Sequence, residues 1–122
     1  MLKINVLRNR RDFSALYNKG KSVRERSLIL IYRKNGLSYC RRAFLASKKV
    51  GNSVKRNRAR RLLRESYRTL EEDIIPGYDV IFIAKSNIVD LKCASVCASM
   101  ESALKRANLL KRENNNFSRE LN

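Results

Sequence analysis

The side chains best suited to chemistry cluster in one segment. Residues 47–68 hold nine bases, Lys48, Lys49, Lys55, Arg56, Arg58, Arg60, Arg61, Arg64 and Arg68, and a single acid, Glu65. A helix turning ~100° per residue sorts them. Ala59, Leu62, Leu63, Ser66, Tyr67 and Leu70 gather on one side, and Asn57, Arg60, Arg61, Arg64 and Arg68 on the other, within roughly a third of the circumference. Arginine dominates, and its planar guanidinium bridges two phosphate oxygens or stacks on a base, which an ammonium does less well. A merely solvated face would mix signs for i,i+4 pairing. Phe13 and Tyr17 form a second candidate, an aromatic pair four residues apart that can stack on unpaired bases. On spacing alone, packing of a first helix onto a sheet is the favoured reading of that pair.

Other chemistries are excluded by what is missing. The chain has no histidine, so no imidazole serves as general base, metal ligand or partner of a nucleophile. Its three cysteines, Cys40, Cys93 and Cys97, lack CxxC spacing and read as small buried thiols. Among residues 1–68 there are 21 bases and three scattered acids, Asp12, Glu25 and Glu65, a balance of +18; residues 69–122 balance to −1. Three scattered acids do not supply the clustered carboxylates of two-metal hydrolysis. The overall charge of +17 on 122 residues is self-repelling and calls for a polyanion. No apolar run reaches the ~20 residues of a membrane span, and no secretory signal is visible, so a cytoplasmic protein with reduced thiols is expected.

The elements that must position these residues follow from pattern. Asn9 caps a helix over 10–19 that Gly20 ends. Residues 27–33 read as a strand, Asn35-Gly36 as a turn, and 39–47 as the returning strand of an antiparallel hairpin. Gly51-Asn52-Ser53 opens a helix over about 54–72, and Pro76-Gly77 punctuates its exit. Residues 78–84, Tyr-Asp-Val-Ile-Phe-Ile-Ala, are the most strand-like run, and 90–111 read as a final helix. This gives an α+β single-domain sandwich over residues 1–112, in the order α-β-β-(β)-α-β-α with an extra strand near 22–25. Residues 113–122 read as a polar, disordered tail.

The run Ser47-Lys48-Lys49-Val50-Gly51-Asn52-Ser53-Val54-x-Arg56-Asn57-Arg58-x-x-Arg61-x-x-Arg64-Glu65 resembles the Arg-Asn-Arg signature of the bacterial ribonuclease P protein component. Asp12-Phe13 with Tyr17, Gly20 and the strand at 77–84 extend the resemblance over about residues 7–111. It implies a ribosomal-protein-like sandwich with a left-handed βαβ crossover. It implies also the non-catalytic protein subunit of an endoribonuclease whose RNA removes the 5′ leader from precursor tRNA. Lys48, Lys49, Lys55, Arg56, Asn57, Arg58, Arg60, Arg61, Arg64 and Arg68 would then dock on the catalytic RNA. Phe13 and Tyr17 would line a cleft for the single-stranded leader. Magnesium would be bound mainly by the RNA, the protein lowering the requirement for it, with no membrane or DNA partner. The chain departs from the family pattern at Ala43, where glycine is common, and at Ala46, where valine is. A further cleft aromatic of some members aligns with Ile31, while Tyr32 faces the other way. A purely structural RNA-binding protein would share the composition but not the motif.

Overall fold

A computed structural model describes residues 5–111 of the chain; the reading of 113–122 as a tail lies outside them. The element order is α1 (Arg10–Lys19), β1 (Lys21–Arg24), β2 (Leu28–Lys34), β3 (Arg41–Ala46), α2 (Ser53–Leu70), β4 (Tyr78–Ala84) and α3 (Cys93–Arg106). Short 3-10 turns at Lys48–Val50, Glu71–Asp73 and Ser86–Asp90 join them. The α+β class and the extra strand near residue 22 are as the sequence indicates.

The expected hairpin is not. The sheet order is β1-β2-β4-β3, so β4 lies between β2 and β3, antiparallel to the first and parallel to the second. β4 is the most thoroughly buried strand and takes the centre, where both faces are covered. Asn35 is stitched to β4 instead of to β3. Its backbone N–H donates to the Gly77 carbonyl at 2.9 Å, and its side-chain amide to Asp79 at 2.9 Å. Among the described residues the hairpin is β1–β2, with Lys21 opposite Tyr32 and Arg24 opposite Ile29.

Alternation along the strands builds two cores. Leu28, Leu30, Val80, Phe82 and Ala84 face α2 and α3, with Leu62, Leu63, Tyr67, Met100 and Leu104 packed on them. Phe44, Tyr67 and Phe82 meet there, with ring centroids 5.5–6.2 Å apart. On the other face Ile81 and Ala43 bury against Leu7 and Leu16, with Phe13, Ile31, Leu45 and Ile83 partly covered. The edge of β3 is closed by the N-terminal segment, where Leu7 N–H donates to Arg42 O at 2.9 Å.

α1 has the bounds that its sequence signals give. The Asn9 side chain accepts from Arg11 N–H at 2.7 Å, and Gly20 ends the helix where a Cβ would lie 2.4 Å from Leu16 O. α3 is shorter than the expected 90–111. It stops at Arg106 because Asn108 adopts φ 60°, with its N–H on Lys105 O and that of Leu109 on Leu104 O, a Schellman cap that buries Leu109. The cysteines are free, but Cys93, on the first turn of α3 at the margin of its contact with α2, is exposed, and Cys40 and Cys97 are half-buried. The expectation of uniformly buried thiols is corrected to that extent.

Candidate nucleic-acid interface

The basic segment owes its shape to four non-basic residues. Ser47 caps the 3-10 turn by accepting from Lys49 N–H at 3.3 Å, and Val50 buries as its anchor. Gly51 then adopts φ 140°, open to glycine and strained for any other residue. Asn52 caps α2 by accepting from Lys55 N–H at 3.0 Å. Lys48 and Lys49 are thereby exposed just ahead of the helix.

Within α2 the buried stripe is Ala59, Leu62, Leu63, Ser66, Tyr67 and Leu70. Lys55, Asn57, Arg58, Arg61, Arg64 and Arg68 are exposed, and Arg60 and Arg56 partly so. Two of the bases are partly withdrawn from the outer face. Arg58 Nε donates to the Val89 carbonyl at 3.1 Å, and Arg56 Nε is buried with no hydrogen-bond partner. Arg60 donates to the Asn57 side chain, which joins the two on the outer face. Among the described ion pairs, the only base of this segment to meet an acid is Arg68, with Glu65 at 3.7 Å, in an exposed pair worth little. The outer face is therefore a row of largely uncompensated guanidiniums on a fixed helix.

The aromatic pair divides. Phe13 packs against the smaller core, while Tyr17 is 50% exposed one turn later, its phenol pushed up by partial burial. Ile31, Leu45 and Ile83 are partly covered on the same sheet face, which makes an open apolar strip beside α1. Tyr32 packs into the opposite core and meets Tyr78 there, 6.4 Å between centroids. The tether that sets α1 on the sheet escaped sequence reasoning. Arg41 grips Asp79 through Nε and Nη2 at 2.8 and 2.7 Å and reaches Asp12 of α1 through Nη1 at 3.0 Å. The hydrogen bond to Asp79 chiefly holds the Arg41 guanidinium above its ordinary value. Nothing in the sequence pairs residues so far apart; only the β3–β4 register, which puts Arg41 opposite Asp79, does so.

Among the described residues, no group of three or more His, Cys, Asp or Glu is placed to hold a metal ion, and no helix is long and apolar enough to cross a membrane. A family model described as Ribonuclease P matches residues 1–108. The chain belongs to that family. It is 40% identical over 109 residues to the ribonuclease P protein component of Pelotomaculum thermopropionicum, covering 89% of this chain and 97% of that one. It is 42% identical over 110 residues to that of Alkaliphilus oremlandii, covering 90% and 96%. The solved ribonuclease P protein of Staphylococcus aureus superposes with a TM-score of 0.80 at 30% identity, over 89% of this chain and all of that one. That of Thermotoga maritima gives 0.75 at 30%, over 82% and 94%. A ribonuclease P protein is one part of an endoribonuclease holoenzyme, and the departures at Ala43 and Ala46 fit this fold: Ala43 is buried in the smaller core and Ala46 packs on the larger.

Proposed function

We propose that this chain binds the catalytic RNA of ribonuclease P through α2 and the turn before it, and assists removal of the 5′ leader from precursor tRNA. The observation that carries the reading is the row Asn57, Arg60, Arg61, Arg64 and Arg68, set opposite the buried stripe of a helix in a chain of this family. Lys48, Lys49 and Lys55 extend the row ahead of the helix. Arg58 ties the N-terminal part of the helix to the Val89 carbonyl, and Arg56 and Arg58 add charge there. Phe13 and Tyr17, beside the strip of Ile31, Leu45 and Ile83, contact the unpaired leader.

The RNA performs the cleavage, and magnesium is bound mainly by the RNA. The protein's own part is electrostatic. A charge of +17 offsets phosphate repulsion that the RNA otherwise screens with cations. The chain alone is inactive.

Reconstitution with the catalytic RNA of the same organism tests this. Leader removal should be promoted most strongly at low magnesium and be absent without the RNA. Phe13→Ala with Tyr17→Ala should weaken binding of leader-bearing precursor and spare mature tRNA, at ~1–3 kcal/mol per lost base stack. Cleavage of precursor tRNA or unstructured mRNA by the RNA-free protein would overturn the assignment of catalysis to RNA. Equal loss of both tRNAs, with a lowered Tm, would make the aromatic pair structural.

A further inference from the structure

A second basic pocket lies where β2 ends and β4 begins, on the sheet face opposite Phe13 and Ile31. Strand register builds it. Lys21 lies opposite Tyr32 across β1–β2, and Lys34 opposite Tyr78 across β2–β4. Because side chains alternate, all four project to the face that carries α3. α3 stops short of covering them: its Schellman cap leaves Arg106, Ala107 and Asn108 as one wall of the pocket, and Lys19 and Arg33 complete the rim. The cavity is about 370 Å³, within the range of small-ligand sites.

Its chemistry is one-sided. No carboxylate lines it. Arg106 is already held by Glu25 at 2.7 Å and by the Arg24 carbonyl at 2.8 Å. Lys19, Lys21, Arg33 and Lys34 form no ion pair among the described residues. The Tyr32 and Tyr78 rings are tilted at 55° rather than stacked, and both line the cavity. Unpaired cations around two aromatic rings suit an anion joined to a flat, apolar group. An acidic peptide would use the cations and leave the rings idle, and a duplex has no free base to offer. No residue of α2 lines this pocket.

We infer that this pocket takes one unpaired RNA nucleotide, its base against Tyr32 and Tyr78 and its phosphate against Lys19, Lys21 and Lys34. The inference rests on the RNA-binding function proposed above and adds a second, separate point of contact. The nucleotide comes either from a single-stranded loop of the catalytic RNA or from the distal part of the leader.

The probe is a single-stranded oligouridylate carrying a photoreactive 4-thiouridine. It should cross-link to peptides containing Tyr32 or Tyr78 and continue to do so when Arg60, Arg61, Arg64 and Arg68 are all alanine. Lys21→Ala with Lys34→Ala, both exposed and outside the cores, should weaken oligouridylate binding by roughly tenfold and flatten its salt dependence by up to ~0.7 unit, the value for one single-strand phosphate contact. In the reconstituted holoenzyme, weaker binding of the catalytic RNA by this double variant identifies the loop as the source. Loss of the advantage of long over short leaders identifies the leader. Binding within twofold of wild type, cross-links confined to α1 and α2, or equal competition by polyglutamate would overturn the inference. If the four-arginine variant also binds catalytic RNA normally, the function proposed above fails as well; if only the pocket variant is silent, this inference fails alone.

Discussion

Gly51 shows how tightly the basic segment is specified. A Cβ there would lie 2.6 Å from Lys55 Cδ, at a φ of 140° that other residues rarely adopt. Glycine thus lets the chain turn from the lysine pair directly into the arginine helix. Tyr67, on the buried side of that helix, makes the opposite kind of contribution. Its ring packs on Phe44 and Phe82, and the Arg42 guanidinium sits 5.4 Å from its centroid. Burial pushes the Tyr67 phenol well above its ordinary value, and half-burial pushes the Cys40 thiol up as well. A raised folded-state value means that the folded protein holds the proton more tightly than the unfolded chain. The stabilisation is therefore complete below the unfolded value, about 10 for tyrosine, and is lost as pH rises above it. Stability measured by denaturant unfolding should fall above about pH 10, with Tyr67 contributing up to ~1.4 kcal/mol per pH unit. Tyr67→Phe should flatten that fall; an unchanged slope would show that the phenol does not resist ionisation in the fold.

At the scale of elements, local signals were legible and pairings were not. The caps at Asn9 and Asn52, the apolar stripe of α2 and the bounds of β4 all depend on neighbours within a few residues. They were readable for that reason. The strand order depends on which segment can be buried on both faces, a comparison across the whole chain. Asn35-Gly36 therefore looked like a hairpin turn although it spans the width of an intervening strand. The end of α3 had a local signal that was missed, Asn108 followed by an apolar residue. The α2 face was legible in the candidate site because period and charge sign agree there. The Arg41 bridge and the Lys21–Tyr32–Lys34–Tyr78 cluster were not, because only register brings their members together. The bridge also ties α1 to the sheet beside the apolar strip. Arg41→Met keeps the stem but leaves Asp79, a nearly buried carboxylate, with Asn35 as its remaining side-chain partner. It should cost about 2 kcal/mol in denaturant unfolding. It should also raise amide exchange in α1 more than in α2. Uniform exchange would mean that α1 is held by Leu16 and Phe13 alone.

For the whole molecule, charge is divided unevenly along the sequence. The first 68 residues carry the excess, and the remainder, near neutral, supplies β4 and α3 as the scaffold on which α2 is fixed. The fold is shared with the Staphylococcus aureus and Thermotoga maritima proteins at 30% identity, so the architecture outlasts most of its side chains. The most direct test of the account is the binding of this protein to the catalytic RNA of its own organism, measured across a range of salt concentrations. The comparison is with a variant in which Arg60, Arg61, Arg64 and Arg68 are alanine. All four lie outside the buried stripe, so the variant should fold with an unchanged Tm. Its affinity should drop by orders of magnitude at low salt. Its log–log salt slope should be shallower by about three units, at ~0.7–0.9 per lost phosphate contact. A folded variant with the wild-type slope would show that α2 does not face the RNA.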